Sequence, residues 1–375
     1  MNRPELLIKP VSHRCNLRCG YCFYRKTEQL YPLPLKVMSP AILERLIAVT
    51  MEYADGGPCL FSWQGGEPML AGLEFFQQVV AWQQKFGRSG QVVSNTIQTN
   101  ATLINREWVE FFRKYNVFVG VSLDGPLSLH NLYRKDAAGK GSYDLVIQGL
   151  RKLQEAGVEF NVLSTMGRAT RHNLPETIKF FLSRNLKYLQ FIPAVDRQND
   201  KMADFSITPK QYGIFLKELF DFWYNDGAPE FSVRFFDNVL ERLLGLKAAA
   251  CTFLKECGCY LVVEANGDVY PCDFFVDARW KLGNIADTPM ELLYQKAREE
   301  FGRYKALAPP ACQRCAYQFL CQNGCLWFRW VKNGSLTDRD YLCEAYRCFF
   351  DHALPRLEKM RDRIMAENAV RWPKV

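Results

Sequence analysis

The chain has 375 residues, a formal net charge of +8 and an apolar fraction of 48%, so it can form one large domain and a smaller one. Its basic residues form no block of five or more, which argues against a nucleic-acid-binding surface. No apolar run reaches the length of a membrane span, and the start, MNRPELLIKP, lacks the apolar core of a signal peptide. We therefore expect a cytoplasmic protein with no membrane and no nucleic-acid partner.

Fourteen cysteines in such a chain favour metal or redox chemistry over disulfides. Three of them, Cys15, Cys19 and Cys22, follow a predicted first strand, and no other cysteine follows for 36 residues. A 4Fe–4S cluster is normally held by four thiolates, so a cluster held by this C-x₃-C-x₂-C motif has one iron open to a small molecule. A zinc site or buried thiols are the alternatives at this point.

From residue 6 to about 195, short apolar runs alternate with helical patterns. The predicted strands are Leu6–Val11, Cys59–Gln64, Val92–Thr99, Val117–Leu123, Val158–Thr165 and Tyr188–Pro193. The predicted helices are Pro40–Tyr53, with Ser39 as N-cap, Leu73–Lys85, Arg106–Tyr115, Tyr143–Ala156 and Leu174–Arg184. This alternation predicts an α/β fold with a parallel sheet, and six βα units favour an open partial barrel over a closed eightfold one.

Polar signatures follow the predicted strands at their carboxyl ends, where such barrels place their sites. The cysteine motif follows the first strand, and Gln64-Gly65-Gly66-Glu67-Pro68 follows the second. A Gly-Gly pair allows a close backbone approach, and we expect its amides to be exposed to a ligand. By itself the segment also fits an ordinary turn. Ser122 ends the fourth strand, and Arg134 comes ten residues after Asp124.

The second half begins with a polar segment at 196–207, predicted to be an irregular linker. Two helices, Pro209–Asn225 and Ser232–Leu246, are predicted next. Tyr260–Glu264 and Val269–Pro271 then predict a β-hairpin with Asn266-Gly267 in its turn. The tail, Pro355–Trp372, predicts a terminal helix.

Ten of the fourteen cysteines lie after residue 250, namely Cys251, Cys257, Cys259, Cys272, Cys312, Cys315, Cys321, Cys325, Cys343 and Cys348. Clusters of thiolates suit zinc and iron–sulfur sites alike, so spacing alone does not separate two zinc ions from two 4Fe–4S clusters. Cys59 lies on a predicted strand and is expected to be a small core residue.

The motif C-x₃-C-x₂-C-F-Y, followed at the right spacing by Gly-Gly-Glu-Pro, resembles the radical S-adenosylmethionine (SAM) superfamily. The resemblance implies a partial (β/α)₆ barrel in which Cys15, Cys19 and Cys22 hold a 4Fe–4S cluster. It also implies that the methionine end of SAM chelates the open iron and that SAM cleavage yields a 5′-deoxyadenosyl radical. The implied SAM contacts are Tyr21, Gly66, Ser122, Arg134 and Val195.

The hairpin ending in Tyr-Pro-Cys, the segment Leu282–Ile285 and the C-x₂-C-x₅-C-x₃-C motif resemble a SPASM domain, which implies two auxiliary 4Fe–4S clusters and three in all. By position, the implied ligands of the first auxiliary cluster are Cys251, Cys257, Cys272 and Cys325. Those of the second are Cys312, Cys315, Cys321 and Cys343. Cys259 and Cys348 are left over, and either could replace a neighbour. The expected domains are therefore a barrel at 1–195, a linker with bridging helices at 196–250, a SPASM domain at 251–350 and a C-terminal helix at 351–375.

The similarity extends along nearly the whole chain. CNLRCGYCFY, FSWQGGEPMLAGLEFF, QTNATLIN, VGVSLDGP, LQFIPAVD and YPCDFFV closely resemble anaerobic sulfatase-maturating enzymes, which oxidise a Cys or Ser of a sulfatase to Cα-formylglycine. The resemblance implies that Asp273 accepts the substrate proton and that Tyr24 and Gln64 lie near the substrate. The implied partners are a sulfatase polypeptide of the Cys/Ser-x-Pro-x-Arg type and an electron donor such as flavodoxin or ferredoxin. A monomer is expected, since one chain suffices for this chemistry.

Three features depart from the family pattern. Val195 replaces a leucine, which should cost little for an apolar or backbone contact. Asn323 stands where the family often has a glycine, a replacement that is tolerable if φ is positive there. Leu326-Trp327-Phe328 is unusually apolar and would change the peptide preference if it faced the substrate channel.

Two other functions are compatible with parts of this pattern. One is a SPASM enzyme that forms thioether or carbon–carbon crosslinks in another peptide. Asp273 favours the maturase, and the expected lack of an N-terminal precursor-recognition domain weighs against the crosslinking enzyme. The other is a zinc- or iron-binding scaffold, which would not cleave SAM.

Overall fold

The structure is a computed structural model that describes residues 3–32, 36–169, 173–198 and 201–371. Its strands are β1 Glu5–Ile8, β2 Cys59–Trp63, β3 Val93–Thr99, β4 Phe118–Ser122, β5 Phe160–Met166, β6 Tyr188–Pro193, β7 Arg197–Gln198, β8 Lys201–Met202, β9 Ser232–Val233, β10 Leu261–Val263, β11 Asp268–Tyr270 and β12 Gly283–Asn284. Its helices are α1 Pro40–Ala54, α2 Leu73–Phe86, α3 Arg106–Lys114, α4 Leu127–Tyr133, α5 Tyr143–Glu155, α6 Leu174–Ser183, α7 Pro209–Tyr224, α8 Arg234–Leu243, α9 Met290–Lys296, α10 Arg303–Ala306, α11 Pro310–Gln313, α12 Gln318–Cys321, α13 Leu326–Asn333 and α14 Cys343–Arg371.

The alternation of strands and helices predicted up to residue 195 is confirmed. The local signals act as expected: α1 begins after Ser39, whose hydroxyl accepts a hydrogen bond from the Ile42 N–H at 3.3 Å, and Pro40 occupies its first turn. The predicted β-hairpin is also confirmed, because β10 and β11 pair antiparallel around Asn266-Gly267.

The chain forms two compact units. The first comprises residues 1–123, 127–162 and 257–303. In this unit, hydrogen-bonded neighbours follow the order β12-β11-β10-β1-β2-β3-β4, and β1 to β4 are parallel. The strand β10 pairs parallel with β1, so that Ile8 lies opposite Val263. The hairpin therefore extends the parallel sheet.

The second unit comprises residues 124–126, 163–256 and 304–375. Within it, β6 pairs parallel with β9, and the long helix α14 packs along α7. Aromatic rings hold this contact together: the ring centroids of Phe220 and Phe349 lie 5.8 Å apart. Burial of such rings, rather than helix propensity alone, stabilises long helices in proteins.

Two predicted elements need correction. The terminal helix begins at Cys343, not at Pro355, because packing along α7 outweighs the local cost of a proline within the helix. The segment predicted to be irregular contains the antiparallel strands β7 and β8. Residues 199–200 of that segment and Trp372, the predicted end of the helix, lie outside the described residues.

The predicted domain boundaries stay a prediction. Within the described part of the chain, no helix combines the length and apolar character needed to cross a membrane.

Candidate functional site

The three cysteines predicted to hold a cluster lie in the loop that follows β1 in the first unit. The Sγ atom of Cys15 accepts a hydrogen bond from the Leu17 N–H at 3.3 Å and lies 3.7 Å from Nδ2 of Asn100. Burial raises the pKa of Cys15 to about 12 and also raises that of Cys22. Thiolates, not thiols, bind metals, so these buried groups fit a cationic iron group that offsets the cost of ionisation.

Gly65 and Gly66 pack directly against this cysteine loop. A Cβ atom would lie 2.6 Å from the Ser12 carbonyl oxygen at Gly65, and 2.0 Å from the Arg14 carbonyl oxygen at Gly66. The N–H groups of Gly66 and Glu67 donate to those same carbonyls at 2.7 and 2.9 Å. The expectation that the amides of the Gly-Gly pair are exposed to a ligand is therefore wrong for Gly66. The pair allows the two loops to approach, which any side chain would prevent.

Glu67 is a buried carboxylate that joins the ends of β2 and β3. Its oxygens accept hydrogen bonds from the Asn100 N–H at 2.8 Å, the Met69 N–H at 3.1 Å and the Thr99 hydroxyl at 2.8 Å. Burial raises its pKa to about 7, although these donors oppose the shift. Glu67 was not among the predicted site residues, although its position between Gly-Gly and proline at a strand end was an available signal.

The residues predicted to contact SAM fall in both units. In the first unit, Ser122 ends β4 and accepts a hydrogen bond from Gln98 Nε2 at 3.0 Å. Arg134 is buried, with its guanidinium carbon 5.5 Å from the centroid of the Tyr21 ring. Val195 is buried in the second unit. Their contacts to SAM stay predictions.

Asp273, the predicted proton acceptor, lies in a buried group of charged and polar side chains that we call the Asp273 cluster: Lys9, Tyr24, Glu264 and Asp273. The Lys9 ammonium lies 2.7 Å from Asp273 Oδ1 and 3.0 Å from Glu264 Oε1. The Tyr24 hydroxyl donates to Asp273 Oδ2 at 2.6 Å. Two predicted site residues, Tyr24 and Asp273, are thus in direct contact.

The electrostatics of the Asp273 cluster keep its donors protonated. Burial alone lowers the pKa of Lys9, but the charges of Asp273 and Glu264 outweigh it and raise the pKa above its usual value. Burial raises the pKa of Tyr24, and the Asp273 charge raises it further. Lys9 is therefore an ammonium and Tyr24 a neutral hydroxyl donor. Gln64, the other predicted substrate contact, is half-buried after β2, and its N–H donates to the Ile8 carbonyl at 2.8 Å.

Lys9 and Glu264 were missed by sequence reasoning. Each is a charged residue directly after an apolar strand, β1 for Lys9 and β10 for Glu264. A charged residue after an apolar strand indicates a site only when the pairing of the strands is known. Here the pairing of β1 with β10 sets Ile8 opposite Val263. The Lys9 N–H then donates to the Val263 carbonyl at 2.8 Å, next to Glu264.

In the second unit, the four cysteines implied for the second auxiliary cluster line one cavity of about 330 Å³, namely Cys312, Cys315, Cys321 and Cys343. The donor set and the shared cavity fit an iron–sulfur group. Within the described residues, no three His, Cys, Asp or Glu side chains are arranged around a single metal ion. A 4Fe–4S cluster is held differently, because each thiolate binds a different iron.

The cysteines implied for the first auxiliary cluster are divided between the units: Cys257 and Cys272 belong to the first, Cys251 and Cys325 to the second. The two unassigned cysteines, Cys259 and Cys348, are half-buried. Cys348 lines a different pocket, together with Lys217 and Asp351. Cys59 is 3% exposed, which confirms it as a core residue.

Buried polar side chains organise the cysteine loops of the second unit. Asp340 accepts hydrogen bonds from the Cys325 N–H at 2.8 Å and the Leu342 N–H at 2.6 Å, and burial raises its pKa to about 6. Arg329, fully buried, donates to the carbonyls of Tyr304, Lys305, Leu307, Asn323 and Leu336. These bonds satisfy loop carbonyls that would otherwise be buried without a donor.

The departures from the family pattern have structural explanations. Asn323 has a φ of +66°, the condition under which asparagine can replace glycine there. The apolar segment Leu326-Trp327-Phe328 is buried, and the Trp327 indole N–H donates to the Val195 carbonyl at 3.1 Å. This segment is packed within the second unit, beside the predicted SAM contact Val195, and its effect on peptide preference stays a prediction.

Comparison with known proteins identifies the class. Residues 10–181 match the model of the radical SAM superfamily, and residues 251–316 match the SPASM iron–sulfur cluster-binding domain. A cysteine-type anaerobic sulfatase-maturating enzyme of Clostridium perfringens is 38% identical over 96% of this chain and 99% of its own length. A serine-type enzyme of Bacteroides thetaiotaomicron is 35% identical over 97% of this chain and 92% of its own length.

Solved structures agree with these relatives. The structure described as native anSMEcpe with bound AdoMet superimposes with a TM-score of 0.89 at 38% identity, covering 96% of this chain and 99% of that one. A second structure of that protein, with AdoMet and the Cp18Cys peptide, also has a TM-score of 0.89. The chain belongs to the anaerobic sulfatase-maturating enzymes of the radical SAM superfamily. The predicted fold is confirmed, as are SAM and iron–sulfur clusters as cofactors, whereas the number of clusters stays a prediction.

Proposed function

We propose that this protein converts a Cys or Ser residue of a sulfatase polypeptide to Cα-formylglycine, with Asp273 as the proton acceptor. The observation that carries the proposal is the buried Asp273 carboxylate, held by Lys9 at 2.7 Å and Tyr24 at 2.6 Å. Similarity to cysteine-type and serine-type maturases over nearly the full chain supports the same conclusion.

The chain offers ligands for three iron–sulfur groups. Cys15, Cys19 and Cys22 would hold the SAM-cleaving cluster. The two auxiliary clusters would take the eight ligands implied by the resemblance: Cys251, Cys257, Cys272 and Cys325 for one, and Cys312, Cys315, Cys321 and Cys343 for the other. With SAM bound, the first of these groups would supply the electron that cleaves SAM to a 5′-deoxyadenosyl radical, and the radical would become 5′-deoxyadenosine on taking a hydrogen atom.

The conversion removes one hydrogen atom, one proton and one electron from either target side chain. A Cys side chain loses one hydrogen atom from Cβ, one proton from sulfur and one electron, which leaves a thioaldehyde. Water then replaces sulfur, giving the aldehyde of formylglycine and hydrogen sulfide. A Ser side chain loses the same hydrogen atom, proton and electron, and is then already an aldehyde.

Asp273 receives the substrate proton in this scheme. General base catalysis requires an acceptor within hydrogen-bond reach of the proton, and its geometry comes before its pKa. Tyr24 donates to Oδ2 of Asp273, so the acceptor has a fixed orientation before the substrate binds. Gln64, after β2, is the further side chain that we place beside the peptide.

The proposal extends to the setting of the reaction. A low-potential donor such as flavodoxin or ferredoxin delivers the electron that cleaves SAM. The different electron that the substrate loses passes to the auxiliary cluster next to Asp273. The enzyme acts as a cytoplasmic monomer.

Incubation of the anaerobically reconstituted protein with SAM, a reductant and a Cys-x-Pro-x-Arg peptide, beside its Ser twin, tests the proposal. Mass spectrometry would measure peptide aldehyde and 5′-deoxyadenosine. Aldehyde in either peptide supports the maturase and identifies the target residue.

The same assay separates the alternatives. Production of 5′-deoxyadenosine with no modification of either peptide would refute maturation of this motif and favour another peptide substrate, including the crosslinking reactions. Absence of 5′-deoxyadenosine from iron-loaded protein would refute the radical chemistry itself.

A further inference from the structure

Lys9 is a fully buried lysine that contacts two carboxylates. Its side chain is 1% exposed, and its ammonium lies 3.0 Å from Glu264 Oε1 and 2.7 Å from Asp273 Oδ1. One ammonium compensates one carboxylate, so a single lysine between Glu264 and Asp273 leaves one negative charge in this buried group. The second contact, to Asp273, requires a separate explanation.

The two ends of the Lys9 side chain are fixed. Its Cβ and Cγ atoms pack under Gly65, each 3.1 Å from the position that a glycine Cβ would occupy. Its ammonium lies 4.7 Å from the centroid of the Tyr24 ring. Its backbone N–H donates to the Val263 carbonyl at 2.8 Å, at the end of the paired strands β1 and β10. Lys9 therefore has a position defined by the sheet.

Asp273 lies on a turn rather than directly at the end of a paired strand. It begins a short 3₁₀ turn, Asp273–Phe275, directly after Cys272. Tyr24 lies in another 3₁₀ turn, Phe23–Glu28, directly after Cys22. Both turns follow predicted cluster ligands, whereas Lys9 and Glu264 follow strands. Asp273 has one contact at each oxygen, an ion pair with Lys9 at Oδ1 and a hydrogen bond from Tyr24 at Oδ2.

We propose that Lys9 is a positioning residue for formylglycine formation: it holds Asp273 against the rigid sheet so that the carboxylate faces the substrate proton. Glu264 is the second anchor, because it fixes the ammonium between the two strands. The role rests on the proposed function, since it assumes that Asp273 is the base. Supporting side chains on rigid elements are what hold a reactive group in productive geometry.

A purely structural role predicts a different result, and a double variant separates the two. Lys9→Met alone leaves two buried carboxylates without their cation and is expected to destabilise the protein. The double variant Lys9→Met with Glu264→Gln removes one charge of each sign. No unpaired carboxylate is then left at position 264, at the ends of β1 and β10. If Lys9 serves only to join these strands, the double variant should regain both stability and product.

The experiment uses the iron-loaded full chain with SAM, reductant and the peptide that the wild-type protein converts. It measures the unfolding midpoint, iron content, 5′-deoxyadenosine and formylglycine. For the double variant we expect iron content and 5′-deoxyadenosine within about twofold of wild type. We expect formylglycine per 5′-deoxyadenosine to fall about 10²-fold, through kcat rather than the peptide KM, because a misplacement of about 1 Å has that effect.

Lys296→Met is the matched control. Lys296 lies in the same unit, is half-buried and donates to the Leu282 carbonyl at 3.1 Å, so its loss should leave the ratio at the wild-type value. If the double variant has the wild-type ratio of formylglycine to 5′-deoxyadenosine, the positioning role of Lys9 is overturned and the proposed function still stands. No aldehyde from wild-type protein would overturn the proposed function and this role with it.

Discussion

The two most deeply buried lysines of the described chain, Lys9 and Lys305, have opposite surroundings. Lys9, in the first unit, lies between Glu264 and Asp273. Lys305, in the second unit, is 0% exposed and donates to the carbonyls of Cys251 at 3.0 Å and Thr252 at 2.8 Å. Among the described residues, no carboxylate lies within ion-pair distance of its ammonium.

The difference indicates where each region obtains its counter-charge. A buried ammonium is costly unless an anion compensates it. Side chains compensate Lys9, whereas Lys305 adjoins the implied cluster ligands Cys251 and Cys325. Burial raises the pKa of Cys325 to about 12, and the charge of Lys305 opposes that rise. Four thiolates around a 4Fe–4S core carry net negative charge, so we expect bound iron to add to the counter-charge that the buried Asp340 already provides for Lys305.

The largest expected effect comes from replacing Cys15, Cys19 and Cys22 together with Ala. SAM cleavage should be abolished, because the chain then lacks the thiolates of the SAM-cleaving site. Iron bound in the cysteine-rich second half should remain, and iron and sulfide analysis would measure it.

Cys59→Ala is the matched control for this triple variant, since Cys59 is a core thiol on β2 that should leave iron and SAM cleavage unchanged. Loss of all iron from the triple variant would show that the cysteine sites do not load independently.

Lys305→Met tests the comparison of the two lysines directly. Removing a positive charge beside the thiolates makes addition of an electron less favourable. We expect the reduction potential of the adjacent auxiliary cluster to fall by about 60 mV, a tenfold change in a one-electron equilibrium. Potentiometric titration followed by electron paramagnetic resonance would measure it.

Lys332→Met is the control for that experiment, because Lys332 is an exposed lysine of the same unit. Equal reduction potentials of the auxiliary cluster in the two variants would mean that the charge of Lys305 does not act on that cluster.

The smallest expected effect is at Asn323, whose φ is +66°. Asn323→Gly should change the free energy of unfolding by less than about 1 kcal/mol, since glycine accepts this conformation while two weak side-chain hydrogen bonds are lost. Asn323→Val should cost about 1–2 kcal/mol more, because a β-branched residue is strained there. Denaturant unfolding of the iron-loaded variants would compare them, and equal losses would rule out backbone strain as the cause.

The sequence predicts the parts of the fold that depend on local signals. The strands up to Tyr188–Pro193, the capped helix α1 and the Asn-Gly hairpin follow from periodicity and turn residues. The start of α14 does not, since packing along α7 overrides the local signal of Pro355.

The candidate site could be predicted only in part, because contacts between distant segments are not visible in local sequence patterns. Asp273 and Tyr24 could be named from their resemblance to family positions, but their direct contact could not. Lys9 and Glu264 meet only through the register of β1 and β10, and Lys305 reaches carbonyls more than fifty residues away in sequence. The Gly66 N–H was wrongly expected to be exposed to a ligand, because its partner, the Ser12 carbonyl, lies on another loop.

The most direct test of the account is the yield of formylglycine per 5′-deoxyadenosine in the Asp273→Asn variant. Asparagine keeps the size of the side chain but is not a proton acceptor at this step. We expect the ratio to fall about 10²- to 10⁴-fold, the usual contribution of a general base, with SAM cleavage largely retained. An equal loss of 5′-deoxyadenosine and formylglycine, with the ratio unchanged, would contradict the assignment of Asp273 as the base.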